Sequence, residues 1–137
     1  MLLQDVPVVE LRALRRHHDD LQHELDLILV GADHGSEDTH VPQRLVELSR
    51  RLRGEYAAQR DLLQQEAERA AAAGLERFDV SLRMPVEAAA QLEDALAAYE
   101  AVDAWCRRGE LLTLATPPEL AELRRALVER VIAQLRD

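Results

Sequence analysis

One histidine occupies a position where the sequence pattern predicts a leucine. In the first predicted helix, apolar residues recur every three or four positions around His18, so folding would bury this imidazole among apolar side chains. Tyr99 and Asp103 fall near the seam of another predicted helix, from which they could meet His18 across the core. Such a set could bind a small molecule or a metal ion and respond to pH. The common alternative is a neutral histidine with one hydrogen-bond partner.

Histidines and carboxylates also cluster in the sequence beside His18. The cluster comprises His17, His18, Asp19, Asp20, His23 and Asp26. A di-metal bundle requires Glu-x-x-His on two helices and a glutamate from each of two others, and the sequence lacks this pattern. The polar residues 33–40 follow neither the calcium-loop spacing nor a zinc signature. We therefore expect a solvated acidic surface here and no bound metal.

No residue pattern in the sequence indicates an enzyme. Cys106 lies on the same predicted helix face as Tyr99 and Val102, and no histidine lies close in sequence to activate its thiol. The common phosphate-binding, nucleophile-elbow and zinc-protease motifs are missing from the sequence. We predict a non-enzymatic protein without a cofactor, in which Cys106 packs in the core.

Prolines and glycines divide the chain into four predicted helices, because proline suits the first helical turn and glycine suits the residue after the last. The predicted helices run from Pro7 to Val30, Pro42 to Ala73, Pro85 to Arg108 and Pro117 to near Asp137. Thr116 and Glu119 have the spacing of a capping box at the start of the last helix. Each helix carries one apolar stripe, so we predict an all-α, antiparallel four-helix bundle in a single domain over residues 1–137.

Two segments depart from a simple bundle. The second predicted helix is about 48 Å long and the first about 36 Å, so the second either bends at Gly54 or projects its alanine-rich end, residues 66–73. We favour projection, with this end covered either by a dimer contact or by a cap that the following segment forms. Between the second and third helices, Phe78, Val80 and Leu82 alternate with polar residues, which predicts one short extended segment. It would lie across the bundle, pair within the chain or pair with a second copy.

The connection before the last helix is too apolar for a solvated linker. It contains Leu111, Leu112 and Leu114, and Trp105 precedes it on a side of its helix away from the core stripe. We predict these four residues as contacts with a partner protein or with a second copy in a homodimer. For Trp105, packing against the connection is the more common role.

The overall charge and composition limit the classes of partner and location. Seventeen basic and 26 acidic residues give a net charge of −9, which opposes binding to duplex nucleic acid. No apolar run approaches the roughly 20 residues of a membrane span, and the N-terminal residues do not resemble a signal peptide. The single cysteine excludes an intrachain disulfide. A cytoplasmic location is the simplest expectation.

Two stretches resemble a helical regulatory region of actinobacterial signalling proteins. They are FDVSLRMP at residues 78–85 and AWCRRGELLTLATPPEL at residues 104–120. Proteins with this region are often associated with kinase-like ATPase or anti-sigma-factor modules, so the resemblance implies regulation by protein contact. We therefore expect a regulatory or protein-interaction module, with a small-molecule or metal-sensing bundle built on His18, Tyr99 and Asp103 as the alternative.

Overall fold

Helices account for most of the chain, and a short two-stranded sheet completes the fold. The computed structural model describes residues 1–33, 47, 50 and 56–137. In chain order, its elements are β1 (Leu2–Pro7), α1 (Val8–Asp33), α2 (Ala57–Ala72), β2 (Arg77–Ser81), α3 (Ala88–Arg107) and α4 (Pro118–Arg136). Helix α1 packs against α2 and α4, and α3 packs against α4. The prediction of an all-α helical bundle is confirmed.

Two of the helices end at the glycines that the sequence singled out. Gly74 after α2 and Gly109 after α3 adopt φ angles of +73° and +75°, a region that side chains with a Cβ rarely occupy. The amide of Leu75 donates to the carbonyl of Ala70, and the amide of Gly74 donates to that of Ala71, the pattern of a Schellman motif. Helix α1 instead continues past its predicted end at Val30 to Asp33.

The extended segment finds its partner strand within the chain. Strand β2 pairs antiparallel with β1, a strand that the sequence pattern did not predict. A one-residue bulge between Leu3 and Val6 explains the omission, because both of these buried side chains face the core although they are three positions apart. Asp5, within the bulge, has a φ of +60°, and its amide donates to a carboxylate oxygen of Asp79 at 2.8 Å.

The buried side chains form two clusters, one at each end of the bundle. The sheet-side core includes Leu3, Val6, Phe78, Val80, Leu127 and Val131. The loop-side core comprises Leu21, Leu25, Ala98, Val102, Cys106 and Leu111. None of the described helices has the length and apolar character needed to cross a membrane.

The alanine-rich end of α2 packs into the protein instead of projecting from it. Ala67 is fully buried and Ala70 nearly so, and both belong to the sheet-side core. Alanine suits these positions because its small side chain lets α2 approach the sheet closely. This packing contradicts projection into a dimer contact and agrees with the other alternative, a cap formed by the following segment, because β2 packs against α2. The first part of the predicted second helix, including Gly54, lies outside the described residues.

Enlarging a buried alanine of α2 should test this packing. We expect Ala67→Leu to lower the free energy of unfolding by about 1–3 kcal/mol, because the extra carbons must displace the sheet-side core. Ala72→Leu places the same side chain on the exposed face of α2 and should change stability by less than about 0.5 kcal/mol. Urea unfolding followed by circular dichroism measures both. Equal stability of the two variants would contradict the packed arrangement.

Candidate functional site

A cavity of about 380 Å³ opens between the two cores. All four described helices contribute to its wall, which is mostly apolar. Its leucines are Leu11 and Leu14 of α1, Leu63 of α2, Leu92 and Leu96 of α3, and Leu127 of α4. Ligand pockets in proteins have volumes of roughly 300–1,000 Å³ and similar apolar walls with a few polar groups. The cavity therefore has the size and character of a small-molecule site.

The structure brings His18 and Tyr99 together in the wall of this cavity. The tyrosine hydroxyl lies 3.0 Å from Nδ1 of His18, and the two ring centroids are 5.8 Å apart. Burial, together with the nearby charges of Arg60 and Arg15, lowers the pKa of His18 from 6.5 to about 4. The imidazole is therefore neutral at physiological pH.

The Tyr99 hydroxyl is a hydrogen-bond partner of both His18 and Arg60. Burial raises the pKa of Tyr99, so the hydroxyl keeps its proton, and the Arg60 side chain donates a hydrogen bond to its oxygen. The hydroxyl and Nδ1 of His18 share one hydrogen bond, whose direction follows from the tautomer of the neutral ring.

Arg124 of α4 is a buried cation in the same wall. Its guanidinium carbon lies 4.3 Å from the centroid of the Tyr99 ring, a cation–π contact. One terminal nitrogen donates to Asp103 at 3.0 Å, and the other donates to the Thr116 hydroxyl at 3.2 Å. The third nitrogen, Nε, is buried and has no hydrogen-bond partner among the described residues. A buried donor left without an acceptor costs about 1–3 kcal/mol.

Asp103 supports Arg124 and does not contact His18 as the sequence suggested. The second oxygen of its carboxylate accepts the Thr116 amide at 2.9 Å and the Thr116 hydroxyl at 2.8 Å. Because Thr116 is engaged by Asp103, the predicted capping box with Glu119 is absent, and Pro117 occupies the cap position of α4 with no side-chain cap. Asp103 thus contacts Arg124 but does not itself line the cavity.

The connection over residues 110–117 is hydrogen-bonded to side chains of α1. The carboxylate of Glu24 accepts the amides of Leu112 and Thr113 and the Thr113 hydroxyl, each at 2.6 Å. Partial burial would raise the pKa of Glu24, but these hydrogen bonds together lower it. Nε2 of His17 lies 2.8 Å from the carbonyl oxygen of Leu114. Side chains of α1 therefore hold the backbone of the connection at two points.

The four predicted partner contacts occupy different environments. Leu111 is only 6% exposed and belongs to the loop-side core, so its assignment as a surface contact is corrected: it packs beneath the connection. Leu112 and Leu114 are 93% and 81% exposed. Trp105 is partly buried against the same core, with the Arg108 guanidinium 5.3 Å from its ring centroid.

The other candidate groups lie away from the cavity. Cys106 packs in the loop-side core, where burial and the nearby Asp103 carboxylate raise the pKa of its thiol to about 11. Among the described residues, no three histidine, cysteine or carboxylate side chains are placed to hold a metal ion. His23 is exposed, and residues 34–40 of the polar segment lie outside the described residues.

No protein-family model matches this chain, and neither the curated proteins nor the solved structures that were compared with it gave a match. The resemblance to actinobacterial regulatory regions accordingly stays a prediction.

The sequence analysis did not select Arg124, although a signal for it exists. Along α4, positions 124, 127, 131 and 135 are spaced as one buried stripe, and the last three carry Leu127, Val131 and Leu135. Arg124 interrupts this stripe as His18 interrupts that of α1. Both of these polar residues, each within the apolar stripe of its helix, line the cavity.

Protonation of His18 should make stability depend on pH. Between its folded pKa of about 4 and its unfolded pKa of 6.5, the unfolded chain binds more protons, so the free energy of unfolding falls as the pH is lowered through this range. From about pH 7.5 to about pH 5, we expect the wild type to lose about 2 kcal/mol more than His18→Gln does.

Urea unfolding at both pH values measures this difference. His23→Gln removes an exposed histidine of the same helix and should keep the wild-type loss. Equal losses in the wild type and His18→Gln would show that the imidazole is not buried in its neutral form.

Proposed function

We propose that this protein is a non-enzymatic regulatory module that binds a small, mostly apolar molecule in the cavity between its four described helices. The observation that carries the proposal is an apolar cavity of about 380 Å³ whose wall is shared by all four described helices. A bound molecule of matching size would fill this cavity. Each helix would then contact the ligand, so binding would stabilise the whole bundle.

The protonation states of His18 and Cys106 favour binding over catalysis. An efficient general base has a pKa near the working pH, whereas that of His18 is about 4. A cysteine nucleophile acts as the thiolate, and the pKa of about 11 keeps the Cys106 thiol protonated. Both groups are suited to structural roles at physiological pH.

A regulatory role is supported by the path from the cavity to the connection over residues 110–117. Arg124 lines the cavity and bonds to Asp103 and Thr116, and Thr116 ends the segment that displays Leu112 and Leu114. A ligand that moves Arg124 would therefore act on this segment. The resemblance to actinobacterial signalling proteins supports the same role, and a single reduced cysteine is consistent with a cytoplasmic location.

Blocking the cavity should test the binding function. Ala95 of α3 lines the cavity, whereas Ala97 of the same helix is exposed. In a thermal-shift screen of one- and two-ring aromatic and aliphatic compounds, we expect some to stabilise the wild type by about 2.7 kcal/mol at a hundred times their Kd. Ala95→Trp should abolish this stabilisation, and Ala97→Trp should retain it. The absence of any stabilising compound, or an equal effect on both variants, would contradict the proposal.

A second candidate function is binding of a partner protein or a second copy through Leu112 and Leu114. The observation that favours it is the high exposure of both leucines on a backbone that Glu24 and His17 hold in place. Solvent-exposed leucines on a fixed backbone are typical of a contact surface rather than of a solvated linker.

Introducing a charge at Leu112 should weaken association without changing the stability of the fold. We expect Leu112→Asp to weaken self-association at least tenfold in sedimentation equilibrium while leaving urea unfolding unchanged. Val86→Asp introduces the same charge at another exposed apolar residue and should have no effect on association. A wild-type chain that is monomeric at all concentrations would contradict the homodimer and leave a different protein as the partner to be captured through Leu112.

A further inference from the structure

Side chains of α4 form hydrogen bonds with the backbone of β1. Gln134 uses both polar atoms of its carboxamide on one residue: Nε2 donates to the carbonyl oxygen of Leu2 at 2.9 Å, and Oε1 accepts the Leu2 amide at 3.2 Å. Arg130, about one helical turn earlier, donates to the carbonyl oxygen of Gln4 at 2.8 Å. We call Gln134 and Arg130 the edge cap.

The hydrogen bonds of the sheet show that the Leu2 groups point away from β2. Met1 and Leu82 exchange two hydrogen bonds of 2.9 Å and so form a hydrogen-bonded pair. In an antiparallel ladder, such pairs alternate with pairs whose amides and carbonyls point outward. Leu2 and Ser81 are the next pair, so the amide and carbonyl of Leu2 face the outer edge of β1. An outer edge with free backbone groups is a template for pairing with another chain.

The spacing along α4 matches the spacing along β1. Four residues of a helix rise about 6 Å, and two residues of an antiparallel strand rise about 6.8 Å. Successive turns of α4 can therefore meet residues 4 and 2 of the strand. Val131 and Leu135 of α4 are buried in the sheet-side core. Leu3 and Val6 of β1 belong to the same core, so packing holds the helix beside the strand.

We propose that the edge cap prevents a second copy of this chain from pairing with β1. A neighbouring strand would present one donor and one acceptor to Leu2, and the Gln134 carboxamide already presents both. A second β1 would have to displace Gln134 before it could pair. The proposal goes beyond the ligand-binding function and does not depend on it. Self-association of the intact chain would then require another surface, such as the exposed Leu112 and Leu114.

Removing the edge cap should allow β1 to pair. In sedimentation equilibrium, we expect the double variant Gln134→Ala, Arg130→Ala to self-associate at least tenfold more tightly than the capped chain. Leu112→Asp is present in every chain compared, so that association through the connection does not contribute. The matched control is the double variant Gln65→Ala, Arg16→Ala, which makes the same substitutions at exposed positions of α2 and α1. It should associate no more tightly than the capped chain.

A charge on β1 tests whether this strand is the surface used. Leu2 is 46% exposed, and Leu2→Lys would bring like charges together in two paired β1 strands. Adding Leu2→Lys to the uncapped chain should therefore reverse the gain in association. Circular dichroism establishes that each variant is folded, and Gln134→Ala alone provides the test if the double variant is not. Equal association of capped and uncapped chains would overturn the proposal, as would a gain that Leu2→Lys does not reduce.

Discussion

The buried ion pair between Asp103 and Arg124 joins the parts of this molecule that are suited to function. Two charges removed from water are stable only when their remaining hydrogen-bonding groups are also satisfied. Asp103 meets this condition through Arg124 and Thr116, and both of its oxygens are engaged. Arg124 meets it only in part, because Nε remains without a partner. Of the two residues, Arg124 lines the cavity.

This pair also fixes the geometry on either side of it. Toward the cavity, it holds the guanidinium against the Tyr99 ring, and the Tyr99 hydroxyl in turn forms a hydrogen bond with His18. Toward the surface, it holds Thr116 at the start of α4 and thereby ends the connection that carries Leu112 and Leu114. Replacing the pair with apolar side chains could preserve a helical bundle, but it would remove the physical link between these two regions.

The sequence predicted those features that depend on local spacing. The helical stripes, the glycine helix ends and the polar interruption at His18 all follow from residues within a few positions of one another. Strand β1 was missed because its bulge breaks the alternation of buried residues. Glu24 was missed because its partners are distant in sequence: it contacts residues 88 and 89 positions away.

The attachment of the connection to α1 has a consequence for the kinetics of any association through Leu112 and Leu114. Flexible segments lose conformational entropy when a partner orders them, and this loss weakens binding. Here Glu24 and His17 already impose that order on the free chain. Docking would thus proceed as the collision of two preformed surfaces, and its rate would be limited by mutual orientation instead of by a folding step.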